Sequence, residues 1–161
     1  MQLLIRKINK EDDPIIEKII KSVLVEHKMN KPGTIYYDDT LTCMAETHAA
    51  PRSIYYVGMV NGIMTGGAGI YPTDGLPPDT CELVKMYILP EARGKGVGKA
   101  LVDKCITFAK EQGYKKVYLE TMEELKNAVN MYERSGFSLL PGALGNTGHF
   151  ACTIRMIKEI E

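Results

Sequence analysis

The stretch Ile88-Leu89-Pro90-Glu91-Ala92-Arg93-Gly94-Lys95-Gly96-Val97-Gly98 decides how this chain reads. Before it, Cys81 to Leu89 is an apolar, β-rich run that predicts a strand. After it, Val97, Leu101, Cys105, Phe108 and Gln112 follow a helical stripe from Gly96 onward, and Gly113 supplies the stop. A strand therefore runs into a glycine-rich turn and leaves it as a helix. Glycines at 94, 96 and 98 remove side chains where the backbone must bend sharply and come close to a ligand. The helix points its unpaired N–H groups at the same spot, and together with the helix dipole these make a phosphate site. Arg93 and Lys95 add positive charge, and a pyrophosphate would satisfy all of these groups at once.

Two nucleotide motifs fail when counted against this stretch. G-x-G-x-x-G requires glycine where Lys99 stands when counted from Gly94, and where Leu101 stands when counted from Gly96. The P-loop pattern requires Ser or Thr after Gly98-Lys99, where Ala100 stands, and glycine at Arg93. A tight turn with no ligand needs neither three alternating glycines nor flanking bases.

Outward from the turn the chain alternates strands and helices. Leu3 to Ile8 reads as an opening strand, and Asp12-Asp13-Pro14 marks a helix start. Ile16, Ile19, Ile20, Val23 and Leu24 recur at helical spacing until Asn30-Lys31-Pro32-Gly33 ends the pattern. A weaker helix is expected from Asp38 to about Thr47. Ser53 to Val60 and Ile63 to Tyr71 flank Asn61-Gly62, a strong hairpin signal. Lys116 to Thr121 reads as a strand, Leu125, Ala128, Met131 and Tyr132 share one side of a further helix, and strands are expected from Phe137 and within Phe150 to Ile160. This order implies a mixed α/β layer and, at 161 residues, one domain over 1–161.

Composition narrows the function classes. Twenty basic residues balance twenty acidic ones, which disfavours nucleic acid as a partner. Cys43, Cys81, Cys105 and Cys152 form no C-x-x-C pair, and His27, His48 and His149 lack zinc-type spacing, so no metal is expected. No signal segment or membrane span is legible, and a cytoplasmic location is expected.

The turn resembles the GNAT (Gcn5-related) N-acetyltransferase superfamily, whose R-x-x-G-x-G/A signature is matched by Arg93, Gly96 and Gly98. Ile88 to Pro90 is similar to that family's strand ending, and Ala128 to Phe137 to its A-x-x-x-Y-x-x-x-G-F segment. The resemblance implies a central, mostly antiparallel sheet with a splayed parallel strand pair binding CoA, flanked by about four helices. It implies acetyl-CoA as cosubstrate, with Met86, Tyr87 and Ile88 holding pantetheine and Arg93, Gly94, Lys95, Gly96, Val97, Gly98 and Lys99 holding the phosphates. Many members carry Asn seven residues before the tyrosine. Here Leu125 stands there, so that contact is missing or is supplied by Asn127 or Asn130. The family commonly forms homodimers, although no interface is legible in this sequence.

The same resemblance suggests the chemistry. Tyr132 matches the family's tyrosine beside the CoA sulfur, and a phenol can protonate a departing thiolate. On its own residues, a tyrosine on an apolar helix face is more often a core side chain with a satisfied hydroxyl. Glu82 sits where some branches carry a general base, and burial would raise its proton affinity; a salt-bridged strand carboxylate is the plainer alternative. Glu120 has the same ambiguity, and the oxyanion is expected at a main-chain N–H near Met86 or Tyr87. Tyr36, Tyr37, Asp38, Asp39 and Glu46 lie in the region that shapes the family's acceptor pocket, and Gly142 to His149 is expected as a loop over it. Cys81 and Cys105 lack a partner that would make them acyl carriers. The expected activity is acetyl transfer to the primary amine of a small molecule or protein by direct attack in a ternary complex. The competing reading is a non-catalytic acyl-CoA sensor or interaction module.

Overall fold

Apolar residues on successive strands alternate between two helix-covered faces, and that alternation organises the molecule. The computed structural model describes residues 1–161. Its strands are β1 (Leu3–Lys7), β2 (Ile54–Val60), β3 (Ile63–Tyr71), β4 (Thr80–Ile88), β5 (Lys116–Thr121), β6 (Ser138–Leu140) and β7 (Ile154–Glu159). Its helices are α1 (Asp13–Glu26), α2 (Met44–Thr47), α3 (Val97–Glu111) and α4 (Lys126–Arg134). The strands form one seven-stranded sheet in the order β1-β2-β3-β4-β5-β7-β6. Every neighbouring pair is antiparallel except β4 and β5, which are joined through α3.

Because side chains on a strand alternate in direction, Ile54 and Tyr56 pack with α3 residues Val97, Leu101, Val102 and Cys105. Tyr55 and Val57 pack on the other face with α1 residues Ile16, Ile19, Ile20 and Leu24. The β2–β3 hairpin turns at Asn61 and Gly62 with φ of 50° and 80°, the paired positive values that a two-residue turn demands. No helix is long and apolar enough to cross a membrane.

The region expected as a helix from Asp38 to Thr47 is broken. Tight 3-10 turns at Ile35–Tyr37 and Asp39–Thr42 precede α2, and Cys43 interrupts them with φ −139° and ψ 51°. The cause is local competition for backbone groups. The Thr34 hydroxyl accepts from the Tyr36 N–H at 3.3 Å, and the Thr42 hydroxyl donates to the Asp39 carbonyl at 3.0 Å.

One irregularity positions the site. Between the pairs Gly67↔Tyr87 and Gly69↔Val84, β4 holds one residue more than β3, a β-bulge. Lys85 sits there in the left-handed region at φ 51°. Tyr55, fully buried, donates its hydroxyl to the Lys85 carbonyl at 2.7 Å. Its ring can lie this low because Gly67 and Gly69 have no side chain; a Cβ there would fall 2.5 and 2.7 Å from the ring. The parallel pairing of β4 with β5 extends only over Thr80, Cys81 and Glu82. Beyond Glu82 the two strands part, and the β5-facing edge of β4 from Leu83 to Ile88 is left unpaired.

Candidate active site

The glycine turn lies at the open end of this split. Gly94 and Gly96 have φ of 75° and 83°, a region where a Cβ costs about 1–2 kcal/mol, and open space surrounds the Cβ position of both. Gly98 serves packing instead: a Cβ there would lie 2.9 Å from the Met131 sulfur and 3.1 Å from both Met86 and Ile88. α3, α4 and β4 therefore converge on a residue that must be small. The main-chain N–H of Arg93 bonds to the Pro90 carbonyl and that of Ala100 to the Gly96 carbonyl, but those of residues 94 to 99 meet no backbone acceptor. Six successive unpaired donors are gathered at the start of a 15-residue helix, the kind of arrangement that suits an anion.

The basic residues of the turn divide. Lys95 is exposed, and Lys99 pairs with Asp103 at 2.6 Å on the helix surface. The Arg93 guanidinium makes two 2.7 Å bonds to Glu26 at the end of α1 and a third, at 3.0 Å, to the Ile88 carbonyl. It ties α1, β4 and the turn together, so its donors face the protein. Asn127 is exposed on the first turn of α4, and Leu125 packs against the apolar cluster on the α1 face of the sheet.

Tyr132 lies on α4 with 5% of its surface exposed. Its hydroxyl donates to the Met86 sulfur at 3.4 Å, and its ring meets Phe137 edge-on at 5.9 Å between centroids. Burial raises its proton affinity, so the phenol keeps its proton throughout the physiological range. The side chain thus belongs to the apolar core and also faces β4 beside the split.

On the opposite side of β4 is a cavity of about 280 Å³. Glu82 and Lys85 from β4, Glu120 from β5, Asp38, and Thr147 and His149 from the loop before β7 all line it. On a regular strand Glu82 and Lys85, three apart, would face opposite ways; the bulge brings both to this cavity. Glu82 is 6% exposed and accepts from the Thr73 hydroxyl at 2.5 Å. Burial pushes its carboxyl up to about 7; the nearby Glu120 charge acts in the same direction, and the Thr73 bond, His149 and Lys85 oppose it. Glu120 accepts from Tyr118 at 2.6 Å and Thr147 at 2.5 Å.

His149 Nε2 lies 2.8 Å from Asp38 Oδ2. Desolvation pulls the imidazole's proton affinity down, but the Asp38 hydrogen bond and the Asp38, Glu82 and Glu120 charges raise it above the ordinary value. This pair closes the cavity between the Gly142–His149 loop and the turns before α2. Of the five residues expected at the acceptor pocket from that region, only Asp38 lines the cavity; Tyr37, Asp39 and Glu46 are exposed and Tyr36 packs elsewhere. Cys81 and Cys105 are buried with thiols pushed up, and neither lines the cavity.

Lys85, Thr73 and Tyr55 were not singled out by the sequence reading. A lysine inside Cys81-Glu82-Leu83-Val84-Lys85-Met86-Tyr87-Ile88 breaks the alternation of a strand, and that break is the trace a bulge leaves.

Comparison with known proteins agrees with this geometry. Residues 20–137 match the model of the Acetyltransferase (GNAT) family. The chain is 38% identical over 158 residues to the uncharacterized N-acetyltransferase YjgM of Escherichia coli K12, covering 98% of this chain and 95% of that protein. A GNAT-family acetyltransferase from Staphylococcus aureus Mu50 superposes with a TM-score of 0.87 at 19% identity, over 99% of this chain and 100% of the other. YncA of Salmonella typhimurium, described as a putative acetyltransferase and solved with its cofactor acetyl-CoA, superposes with a TM-score of 0.76 at 20% identity, over 100% and 95%. A glycine turn with free amides, a split parallel pair and a family match over most of the chain lead to one assignment: the protein belongs to the GNAT acetyltransferase family and is an acyltransferase.

Proposed function

We propose that the protein transfers the acetyl group of acetyl-CoA to the primary amine of a small acceptor, both substrates being bound together. The observation that carries this reading is the run of free main-chain N–H groups from 94 to 99. It suits a pyrophosphate, with Lys95 and Lys99 adding charge at its edge. Arg93 then acts as a brace for the turn, because its guanidinium is already engaged by Glu26. The unpaired edge of β4 at Met86, Tyr87 and Ile88 suits the amide groups of the pantetheine arm, and exposed Asn127 lies on the flanking helix. The acetyl-CoA bound to the structurally similar YncA supports the same cosubstrate.

In this reading the thioester lies between Tyr132 and Glu82. Glu82, ionised over half its population near pH 7, accepts a proton from the acceptor's ammonium directly or through water. The neutral amine attacks the carbonyl carbon, and the oxyanion is met by a main-chain N–H at Met86 or Tyr87. The carbon–sulfur bond breaks as Tyr132, held as a neutral phenol by burial, protonates the departing thiolate, and the proton lost from the newly acylated nitrogen restores the phenol, leaving the amide and free CoA thiol. No acyl-enzyme is required. The four cysteines are free, which suits a reducing cytoplasm.

The test is calorimetry with CoA together with release of free CoA thiol from acetyl-CoA over a panel of amines. CoA binding with amine-dependent release is expected. CoA binding without release for any amine would mark a sensor, and no specific heat at millimolar CoA would refute the reading of the turn itself.

A further inference from the structure

Charges in the cavity are unequally partnered. Asp38 is held by His149, Glu82 by Thr73, and Glu120 by Tyr118 and Thr147. Lys85 is the exception. It is half-buried and lines the cavity, yet its ammonium takes part in none of the chain's ion pairs, while its carbonyl accepts from Tyr55. Burial lowers its proton affinity, and the Asp38 and Glu82 charges counter that without closing on it.

The Lys85 ammonium keeps contact with solvent, since it is not among the buried polar atoms left without a partner. It stands at the cavity wall as a cation with no ion-pair partner, open to an anion that enters. An anion arriving with the acceptor would pair with it, while the neighbouring carboxylates suit the acceptor's amine. A polycation would require the reverse pattern, with free carboxylates and no ammonium on the wall. The volume, about 280 Å³, lies just below the range of ordinary ligand pockets, roughly 300–1,000 Å³. It suits a metabolite rather than a protein tail.

We propose that the acceptor is a compact zwitterion of the α-amino acid type, its carboxylate paired with Lys85 and its amino group directed to Glu82. This rests on the acetyl-transfer reading and makes Lys85 a specificity-determining residue. The carboxylate would meet its partner on the same cavity wall that carries the base, so one short molecule spans both. Lys85 discriminates by sign, because an acceptor lacking the anion leaves the ammonium unpaired.

The experiment uses the full chain, acetyl-CoA and matched pairs: leucine with isoamylamine, phenylalanine with phenethylamine, and spermidine beside them. Thiol release and product mass are measured. Amino acids are expected to exceed their decarboxylated partners in kcat/KM by at least about tenfold. Lys85→Met should abolish that ratio mainly through KM for the amino acid, while Lys85→Arg retains it; CoA binding by each variant reports an intact fold. Equal or better use of isoamylamine, phenethylamine or spermidine by the wild type would overturn the zwitterion and leave acetyl transfer standing. So would a ratio preserved in a Lys85→Met variant that binds CoA. CoA binding with no transfer to any amine would overturn both readings.

Discussion

Glu82 offers the sharpest test of mechanism, because the fold gives its proton a measurable position. With a carboxyl pushed up to about 7, the ionised fraction rises from about a tenth at pH 6 to about nine-tenths at pH 8. If this carboxylate is the base, wild-type kcat/KM should rise about tenfold across that interval and then level, apart from a separate break belonging to the acceptor's amine. A carboxyl at the ordinary 4.5 would already be almost wholly ionised at pH 6 and would produce no limb there. Glu82→Gln keeps the shape and an acceptor for Thr73 but removes the base, so turnover should fall roughly 10²–10⁴-fold, and the break near 7 should vanish while the amine's break remains.

Stability carries the same signature. The folded chain holds this proton more tightly than the unfolded chain, so nothing is lost below pH 4.5. The fold weakens as pH rises from 4.5 through 7, and the deficit is complete above 7. At about 1.4 kcal/mol per pH unit, this amounts to about 3 kcal/mol. Urea melts of Glu82→Gln should lack that part of the pH dependence. A break near 7 that persists in Glu82→Gln, or a variant within about twofold of wild-type kcat/KM, would refute the assignment of Glu82 as base.

Three further outcomes are expected. Tyr132→Phe should lower kcat by up to about a hundredfold while leaving the CoA Kd nearly unchanged by calorimetry; unchanged turnover would remove Tyr132 as the acid. Gly96→Val places a β-branched side chain at φ 83°, which should cost about 1–2 kcal/mol in thermal unfolding and weaken CoA binding together. Tyr55→Phe leaves the Lys85 carbonyl without its 2.7 Å donor; a loss of about 1–3 kcal/mol in denaturant unfolding is expected, with kcat/KM falling as the bulge loosens.

How much of the molecule was legible in its sequence follows from the range of the forces involved. The Asn61-Gly62 turn, the stripe of α3 and the glycine bend were readable because each depends on backbone conformation or periodicity within a few residues. The broken segment before α2 was misread for an equally local reason: Thr34 and Thr42 compete for backbone groups that a hydrophobic pattern does not count.

Residue types alone led to the expectation of free amides at the turn, because Gly94 and Gly96 supply the left-handed backbone that a sharp bend before a helix needs. Glu82 and Tyr132 were marked as candidates by the resemblance of the surrounding segments to the GNAT family, and not by their own residue types. Tertiary structure decided what these groups face. Arg93 meets Glu26 across 67 positions of chain, and His149 meets Asp38 across 111. The extra residue at Lys85 is defined only against the register of β3. Such pairings arise from strands and loops brought together by burial of both sheet faces, so the direction of each side chain, and with it the charge of the cavity, is set by partners far away in sequence.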